Sequence, residues 1–449
     1  MKISFFGAVE GVTGSNYYLE TKAGTKFLVD CGLFQGEELE AKNYDELPYN
    51  PKELDFALIT HSHMDHMGRI PLLAKKGFDK KIHVTEPTAG FAEIFLTDSC
   101  KILANDAKDN GRQKLYEQED VQKAVSLLET HCYCKKFNPS TDVTATFFDA
   151  GHILGSSFIL IEADGKKIVF SGDLGNPPVP ILRDTDAFPE ADYAVLESTY
   201  GDKNHDRKEE RKNQLERIIE ETISNEGVLL MPSFAMERTQ EILYELNDLI
   251  NNGKITDIPI YIDSPLAIKA TKIYREYPDY FDKEAKEILL SGDDFFNFKG
   301  LTFIDNFEQS KALQIKVEPK VIIAGSGMSN GGRIVLHEKR FLPEKSTSLA
   351  IVGFQVKGTL GRSLKEGAKN IEIMGEPVPV RAKIHEIGSY SAHADQQRLT
   401  YWIKQGAGKL QSVFLVHGEE EPKNALMHKI QDETGIKTII PKPLESFEL

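Results

Sequence analysis

Three imidazoles and a carboxylate fall within six positions in His61-Ser62-His63-Met64-Asp65-His66. Histidine is the commonest zinc ligand, and aspartate adds a hard anionic oxygen. The cluster directly follows the apolar run 55–60 and precedes Gly68. On a loop at a strand end, His61 and His63 can share one direction while Asp65 and His66 point in another. That arrangement serves two metal ions rather than one. Further donors stand in similar settings: His152 after Gly151, Asp173 after Gly172, and His417 before Gly418. Each ends an apolar run beside a glycine, where backbone approaches closely. Taken singly, each suits a turn; beside His61–His66 they stop looking independent.

Strands are needed to hold such loops. Segments 2–8, 15–21, 26–30 and 55–60 are β-rich runs separated by turn residues. The pattern then turns helical over 90–107 and 119–131, where good helix formers dominate. Strands return over 144–152, 156–173 (with an Asp164-Gly165 turn) and 191–199. From about 206 the rhythm changes. Helices over 207–227 and 238–253 alternate with apolar strands at 228–234, 258–264, 320–326 and 348–354, with 337–342 before the last. This alternation implies a parallel sheet with helices on its faces. Near 384 the chain changes again, to a helix over 398–405 and a strand entering His417.

The 449 residues suggest two to three domains, and 40% hydrophobic with 27% charged residues is an ordinary globular composition. No apolar run approaches the roughly 18 residues of a membrane span, and the N-terminus lacks signal-peptide order, so membrane and secreted roles are not expected. Four cysteines, Cys31, Cys100, Cys132 and Cys134, are too few and too irregular for a disulfide framework, which suggests a reducing cytoplasm. His131-Cys132-Tyr133-Cys134 has the look of a metal knuckle, but no second Cys/His pair complements it, and a structural role is expected. The formal charge of −15 argues against coating nucleic acid with the whole surface. Within 311–370, however, eleven Lys or Arg face four Glu, and Lys316, Lys357, Arg333 and Arg362 are among them. On charge alone that window is a solvated face.

His-x-His-x-Asp-His followed by a lone His, an Asp and a last His resembles the metallo-β-lactamase superfamily. Asp30, in Leu28-Val29-Asp30-Cys31-Gly32, matches the early Asp that supports the metal loop there without coordinating. The resemblance implies that His61, His63 and His152 hold one zinc and that Asp65, His66 and His417 hold another. Asp173 would bridge them. It extends to the β-CASP branch of nucleases. Glu197 in Leu196-Glu197-Ser198-Thr199-Tyr200-Gly201 matches acidic motif A, His393 in Ser391-Ala392-His393-Ala394-Asp395 matches motif B, and His417 matches motif C. Segments 232–235, 238–241, 263–267, 325–328 and 358–362 resemble that branch's inserted domain. The implied fold is an α/β, αββα metallo-β-lactamase sandwich from 1–205 and 383–449. The β-CASP domain, 206–382, would cap its cleft.

The resemblance implies a two-zinc phosphodiesterase acting on RNA in the cytoplasm, similar to stand-alone bacterial and archaeal ribonucleases and to the endonuclease subunit of the cleavage and polyadenylation specificity factor. A homodimer is an assembly it allows, and a histidine at motif C goes with RNA rather than DNA enzymes. Two zinc ions about 3.5–4 Å apart lower the pKa of water and clamp a phosphoryl oxygen. Asp65 counts among both the metal-holding and the catalytic residues. His393 would protonate the leaving oxygen, and Glu197 would orient that ring. In such a nuclease, the Gly-rich turn 325–333 suits a phosphate, with Ser329, Arg333 and Arg362 as backbone-gripping candidates. Endo- and exonucleolytic action stay open here, as does manganese in place of zinc. Two alternatives are a thioester or lactone hydrolase with the same metal pair, and a non-catalytic RNA-binding relative. The insertion with Glu197 and His393 argues against the first. Full occupancy of the ligand positions argues against the second.

Overall fold

A computed structural model describes residues 1–36, 39–205, 209–315, 318–353, 355–356 and 358–449. Lys316 and Lys357 of the basic window lie outside the described residues, as do Asp206, Arg207, Lys208 and Phe354 at the ends of expected elements. The chain divides into two units. One comprises Met1–Pro177, Leu182–Asn204 and Ala392–Leu449, and the other Pro178–Ile181 and His205–Ser391.

In the first unit, alternating apolar residues build two seven-stranded sheets. One runs in the order Ser446–Glu448, Lys2–Phe5, Tyr17–Glu20, Lys26–Val29, Phe56–Leu58, Ile82–Thr85 and Leu128–His131. The other runs Lys437–Ile439, Ser412–Val416, Tyr193–Glu197, Lys166–Phe170, Ser157–Ala163, Val143–Asp149 and Lys136–Phe137. Because successive strand side chains point to opposite faces, Phe27 and Val29 join Phe56, Phe147, Ile161, Phe170 and Phe414 in a core between the sheets. Leu28 points the other way, into a layer with Leu72, Leu73, Ala92 and Leu96. On the outer face of the second sheet, Leu415 and Val413 meet Leu399, Trp402, Leu426 and Ile430 from the helices Gln396–Lys404 and Glu420–Thr434. The layers are therefore helix, sheet, sheet, helix, as the family resemblance implies.

One expected element differs. The helix expected over 119–131 ends at Ser126, and Leu128–His131 is a strand paired in parallel with Ile82–Thr85. The sheet edge offers this segment inter-strand hydrogen bonds, and Leu128 packs against the helical layer, so tertiary pairing overrides local helix propensity.

In the second unit, six strands lie in the order Leu301–Phe303, Ile260–Ile262, Lys320–Ala324, Val228–Pro232, Ser348–Ile351 and Lys383–Glu386, and every neighbouring pair is parallel. The four inner strands, Val228–Pro232, Ile260–Ile262, Lys320–Ala324 and Ser348–Ile351, are entirely buried, which is what coverage on both faces demands, while the edge strands Leu301–Phe303 and Lys383–Glu386 stay partly exposed. Leu230, Ile322, Leu349 and Ile351 pack there with Ile334, Phe341 and Leu364.

Candidate metal centre

The loop after Phe56–Leu58 is held by backbone before any side chain acts. Ser15 N–H donates to Asp65 O (2.8 Å), Cys31 N–H to His66 O (2.7 Å) and Leu33 N–H to Met64 O (2.8 Å). Gly32 makes the close approach possible, since a Cβ there would lie 1.6 Å from Asp65 O. At two neighbouring strand ends the chain turns left-handed at residues other than glycine, Asp30 (φ 59°) and His417 (φ 49°). Such backbone costs about 1–2 kcal/mol per residue and clusters at functional sites. Here it aims both side chains at the loop.

The donors named from the sequence converge into two sets. His63 Nδ1 lies 3.1 Å from His61 Nε2 and 3.2 Å from His152 Nε2. In the other set, His66 Nε2 is 3.3 Å from His417 Nε2, and Asp65 Oδ2 is 3.3 Å from His417 Nε2. Asp173 stands between. Its Oδ2 is 3.5 Å from His61 Nε2 and 3.6 Å from His152 Nε2, while its Oδ1 is 3.3 Å from His66 Nε2.

The surrounding hydrogen bonds decide which nitrogens carry protons. Asp30 Oδ2, an acceptor only, takes the Nδ1–H of His66 at 2.7 Å. The Thr60 hydroxyl donates to Asp30 and so accepts from His61 Nδ1 (3.0 Å), and the Ala392 carbonyl accepts from His152 Nδ1 (3.2 Å). The Nε2 lone pairs of His61 and His152 therefore point inward, and His66, its Nδ1–H held by Asp30, turns its Nε2 inward as well. One N–H on His63 can satisfy only one of the two lone pairs facing it. Buried Asp173 Oδ1 accepts no hydrogen bond at all. An inward ring of lone pairs with an orphaned carboxylate oxygen is repulsive without a cation, and imidazole with carboxylate is a zinc-type donor set. The residues fit a metal.

Burial holds His61 and His152 well below the ordinary histidine range and His63 down to about 4, so all three are in the neutral, ligating form. Burial also opposes charge on His66, but Asp173 and Asp30 outweigh it and raise that ring. Asp65 is held to about 2: burial pushes it up, and the His417 hydrogen bond with the His66 charge overcomes that.

Glu197 is fully buried at the end of Tyr193–Glu197, its Oε1 accepting the Leu174 N–H at 2.7 Å. His393 Nδ1 faces its Oε2 at 3.4 Å, and the His393 ring lies 4.6 Å from that of His152. Burial disfavours charge on His393, but Glu197 and then Asp173 win, raising it to about 9. His393 stays 23% exposed where Asp173 and His152 are sealed, so it can meet a substrate.

Ser329, Arg333 and Arg362 belong to the second unit, and its own residues engage each of them. The Ser329 hydroxyl, buried, donates to Glu338. Arg333 donates to Asp263 (2.6 Å) and to the carbonyls of Ile304 and Asp305. Arg362 pairs with Glu366 at 2.6 Å. Other basic-window residues are paired likewise, Lys339 with Glu376, Arg340 with Glu344 and Lys365 with Glu386. Part of the window's positive excess is therefore met by carboxylates outside it, Asp263, Glu308, Glu376 and Glu386, which the count over 311–370 does not register.

Sequence reading passed over Thr60 and Thr199. Thr60 ties Asp30 to His61, and the Thr199 hydroxyl lies 3.2 Å from His417 Nδ1. Their only signal is adjacency, Thr60 before His61 and Thr199 two residues after Glu197.

An αββα sandwich whose strand ends carry this His/Asp ring defines a metallo-hydrolase of metallo-β-lactamase type. Comparison with known proteins agrees. Family models match for the metallo-beta-lactamase superfamily over 10–97, the Beta-Casp domain over 239–364 and the Zn-dependent metallo-hydrolase RNA specificity domain over 377–441. The chain is 38% identical to ribonuclease TTHA0252 of Thermus thermophilus over 95% of each protein. It is 33% identical to an RNase J-like protein of Methanocaldococcus jannaschii, over 98% of this chain and 97% of that one. To the transcription termination factor FttA of the same organism it is 30% identical, over 100% of this chain and 72% of that protein. A crystal structure of a protein of unknown function from Enterococcus faecalis shares the fold, with TM-score 0.58 at 11% identity, over 100% of this chain and 99% of that one. The chain belongs to the β-CASP family of the metallo-β-lactamase superfamily. No helix among the described residues is long and apolar enough to cross a membrane.

Proposed function

We propose that this chain is a ribonuclease that hydrolyses phosphodiester bonds of single-stranded RNA with two zinc ions. His61, His63 and His152 would hold one, Asp65, His66 and His417 the other, with Asp173 shared. The observation that carries this reading is the placement of Asp173, whose two oxygens face separate donor sets while Oδ1 accepts no hydrogen bond. Relatives named ribonuclease and RNase J-like protein, similar over nearly the whole chain, support RNA as the substrate. Bound divalent ions supply Lewis acidity, lowering the pKa of water and polarising a phosphoryl oxygen. The chain's own residues supply the rest. Asp30, Thr60 and the Ala392 carbonyl fix the rings so that inward nitrogens need not reorganise. His393, oriented by Glu197 and open on one side, passes a proton to the departing 3′ oxygen, so products carry 5′-phosphate and 3′-hydroxyl ends.

The test is a labelled single-stranded RNA oligonucleotide incubated with chelator-stripped protein, with and without added zinc, beside a thioester and a lactone. Zinc-dependent cleavage with those end groups is expected, with the small esters untouched. Intact RNA alongside hydrolysed thioester would overturn the proposal.

A further inference from the structure

The first sheet carries a second convergence of metal-ligating side chains that shares no residue with the centre above. Its edge strand Leu128–His131 runs parallel to Ile82–Thr85, with His83 opposite Glu129 and Thr85 opposite His131. Ile82 and Val84 point into the helical layer, so His83 is turned towards the other sheet, and the two-residue period puts Glu129 and His131 on that same face. His83 Nδ1 and His131 Nε2 come within 2.9 Å of each other. Glu129 Oε1 lies 3.9 Å from the first and 3.8 Å from the second.

Three features make this more than a pair of neighbouring rings. Aromatic side chains hold both imidazoles in place: Phe137 stacks on His131 (3.6 Å between centroids, 10° between planes), and Phe56 meets His83 edge-on at 5.9 Å. Burial lowers both rings, His83 to about 4, so they present neutral nitrogens. Glu129 is divided, its Oε2 3.7 Å from Lys81 Nζ and its Oε1 turned to the imidazoles, and it is half-exposed, which opens the triad to solvent. His131 belongs to the His-Cys-Tyr-Cys run whose partner could not be found by spacing; the partner is His83, 48 residues upstream. The Cys134 sulfur is directed elsewhere, towards Asp186 at 3.8 Å. Two imidazole nitrogens with one carboxylate oxygen select a borderline divalent transition ion, and three protein donors leave a position for water. With metal–nitrogen bonds of about 2.0–2.1 Å, nitrogens 2.9 Å apart subtend about 90°. That nitrogen pair has the bite of a square or octahedral site and needs a small opening for tetrahedral zinc, while Glu129 Oε1, 3.8–3.9 Å from both nitrogens, completes either site by a side-chain shift.

We propose that His83, Glu129 and His131 form a separate binding site for a divalent transition-metal ion of the zinc class at the edge of the first sheet. The test counts ions in the full chain. Protein stripped with chelator, reloaded with zinc and desalted is assayed by elemental mass spectrometry for wild type, His83→Asn, His131→Asn and Glu129→Gln, with circular dichroism as the check on folding. The two histidine variants are expected to hold one zinc fewer per chain than wild type, and Glu129→Gln to release that ion at lower chelator concentration. His61→Ala, altered only in the other centre, is expected to keep it. Should burial of His83 make its substitution unfold the chain, the more exposed His131 and Glu129 variants give the same readout. Zinc content equal to wild type in folded His131→Asn, with unchanged chelator sensitivity in Glu129→Gln, would overturn the site and leave a bare His–His hydrogen bond.

Discussion

Replacing Asp30 by asparagine tests whether the metal centre is organised from outside its ligands. Asp30 is fully buried, and both oxygens act as acceptors: Oδ1 takes the Thr60 N–H (2.8 Å), and Oδ2 takes the His66 Nδ1–H (2.7 Å) and the Thr60 hydroxyl (2.8 Å). Asparagine has the same shape but turns one of those acceptors into a donor. In one orientation its amide opposes the Thr60 N–H; in the other it opposes the His66 ring N–H. Either way a buried, charge-assisted hydrogen bond is lost, at about 1.5–3 kcal/mol. That converts to about tenfold to a hundredfold in a binding constant, the range in which partners behind metal ligands usually act. The assay is competition for zinc against a chromophoric chelator at fixed pH, with the melting temperature of the metal-free protein measured alongside. Asp30→Asn is expected to weaken the ion proposed at Asp65, His66 and His417 by that factor and to affect the ion proposed at His61, His63 and His152 less. Wild-type affinity for both ions in a folded Asp30→Asn protein would refute the argument that Asp30 sets the His66 tautomer.

Three further outcomes are expected. His393→Ala should retain the zinc content of wild type while RNA cleavage falls by about 10²–10⁴, the usual contribution of a positioned proton donor; loss of zinc would instead make His393 a ligand. Gly32→Ala drives a Cβ into the Asp65 carbonyl, 1.6 Å away, and should cost about 3 kcal/mol or more along with zinc content, read by thermal melting and metal analysis. Glu338, raised by burial from its ordinary 4.5 to about 7, binds its proton more tightly folded than unfolded. Its contribution is complete below about pH 4.5 and is lost as pH rises through 7, a fall of about 3 kcal/mol. Denaturant titrations should show that decline in wild type and a flatter profile in Glu338→Gln.

Much of the architecture is local and was readable as such. Strands such as Phe56–Leu58 and Ser412–Val416 announce themselves by apolar runs, and the parallel sheet of the second unit by alternation of helix and strand. Leu128–His131 was not readable, because its strand conformation depends on the neighbour Ile82–Thr85 rather than on its own propensities. Arg333 is similar. A Gly-rich turn with an arginine looks ready for phosphate, yet buried Asp263, 70 residues away, takes that guanidinium.

By itself the amino-acid sequence determined the chemistry available to this protein: imidazoles and carboxylates placed just past buried strands, beside glycines that let backbone come close. Only the tertiary structure decided their use. His66 and His417 meet across 351 residues, Asp173 divides its two oxygens between two donor sets, and His131 finds His83 rather than its neighbouring cysteines. Donor type and strand ends are properties of short segments. Which donors face one another is set by the register and packing of two sheets, and no stretch of chain contains that information alone.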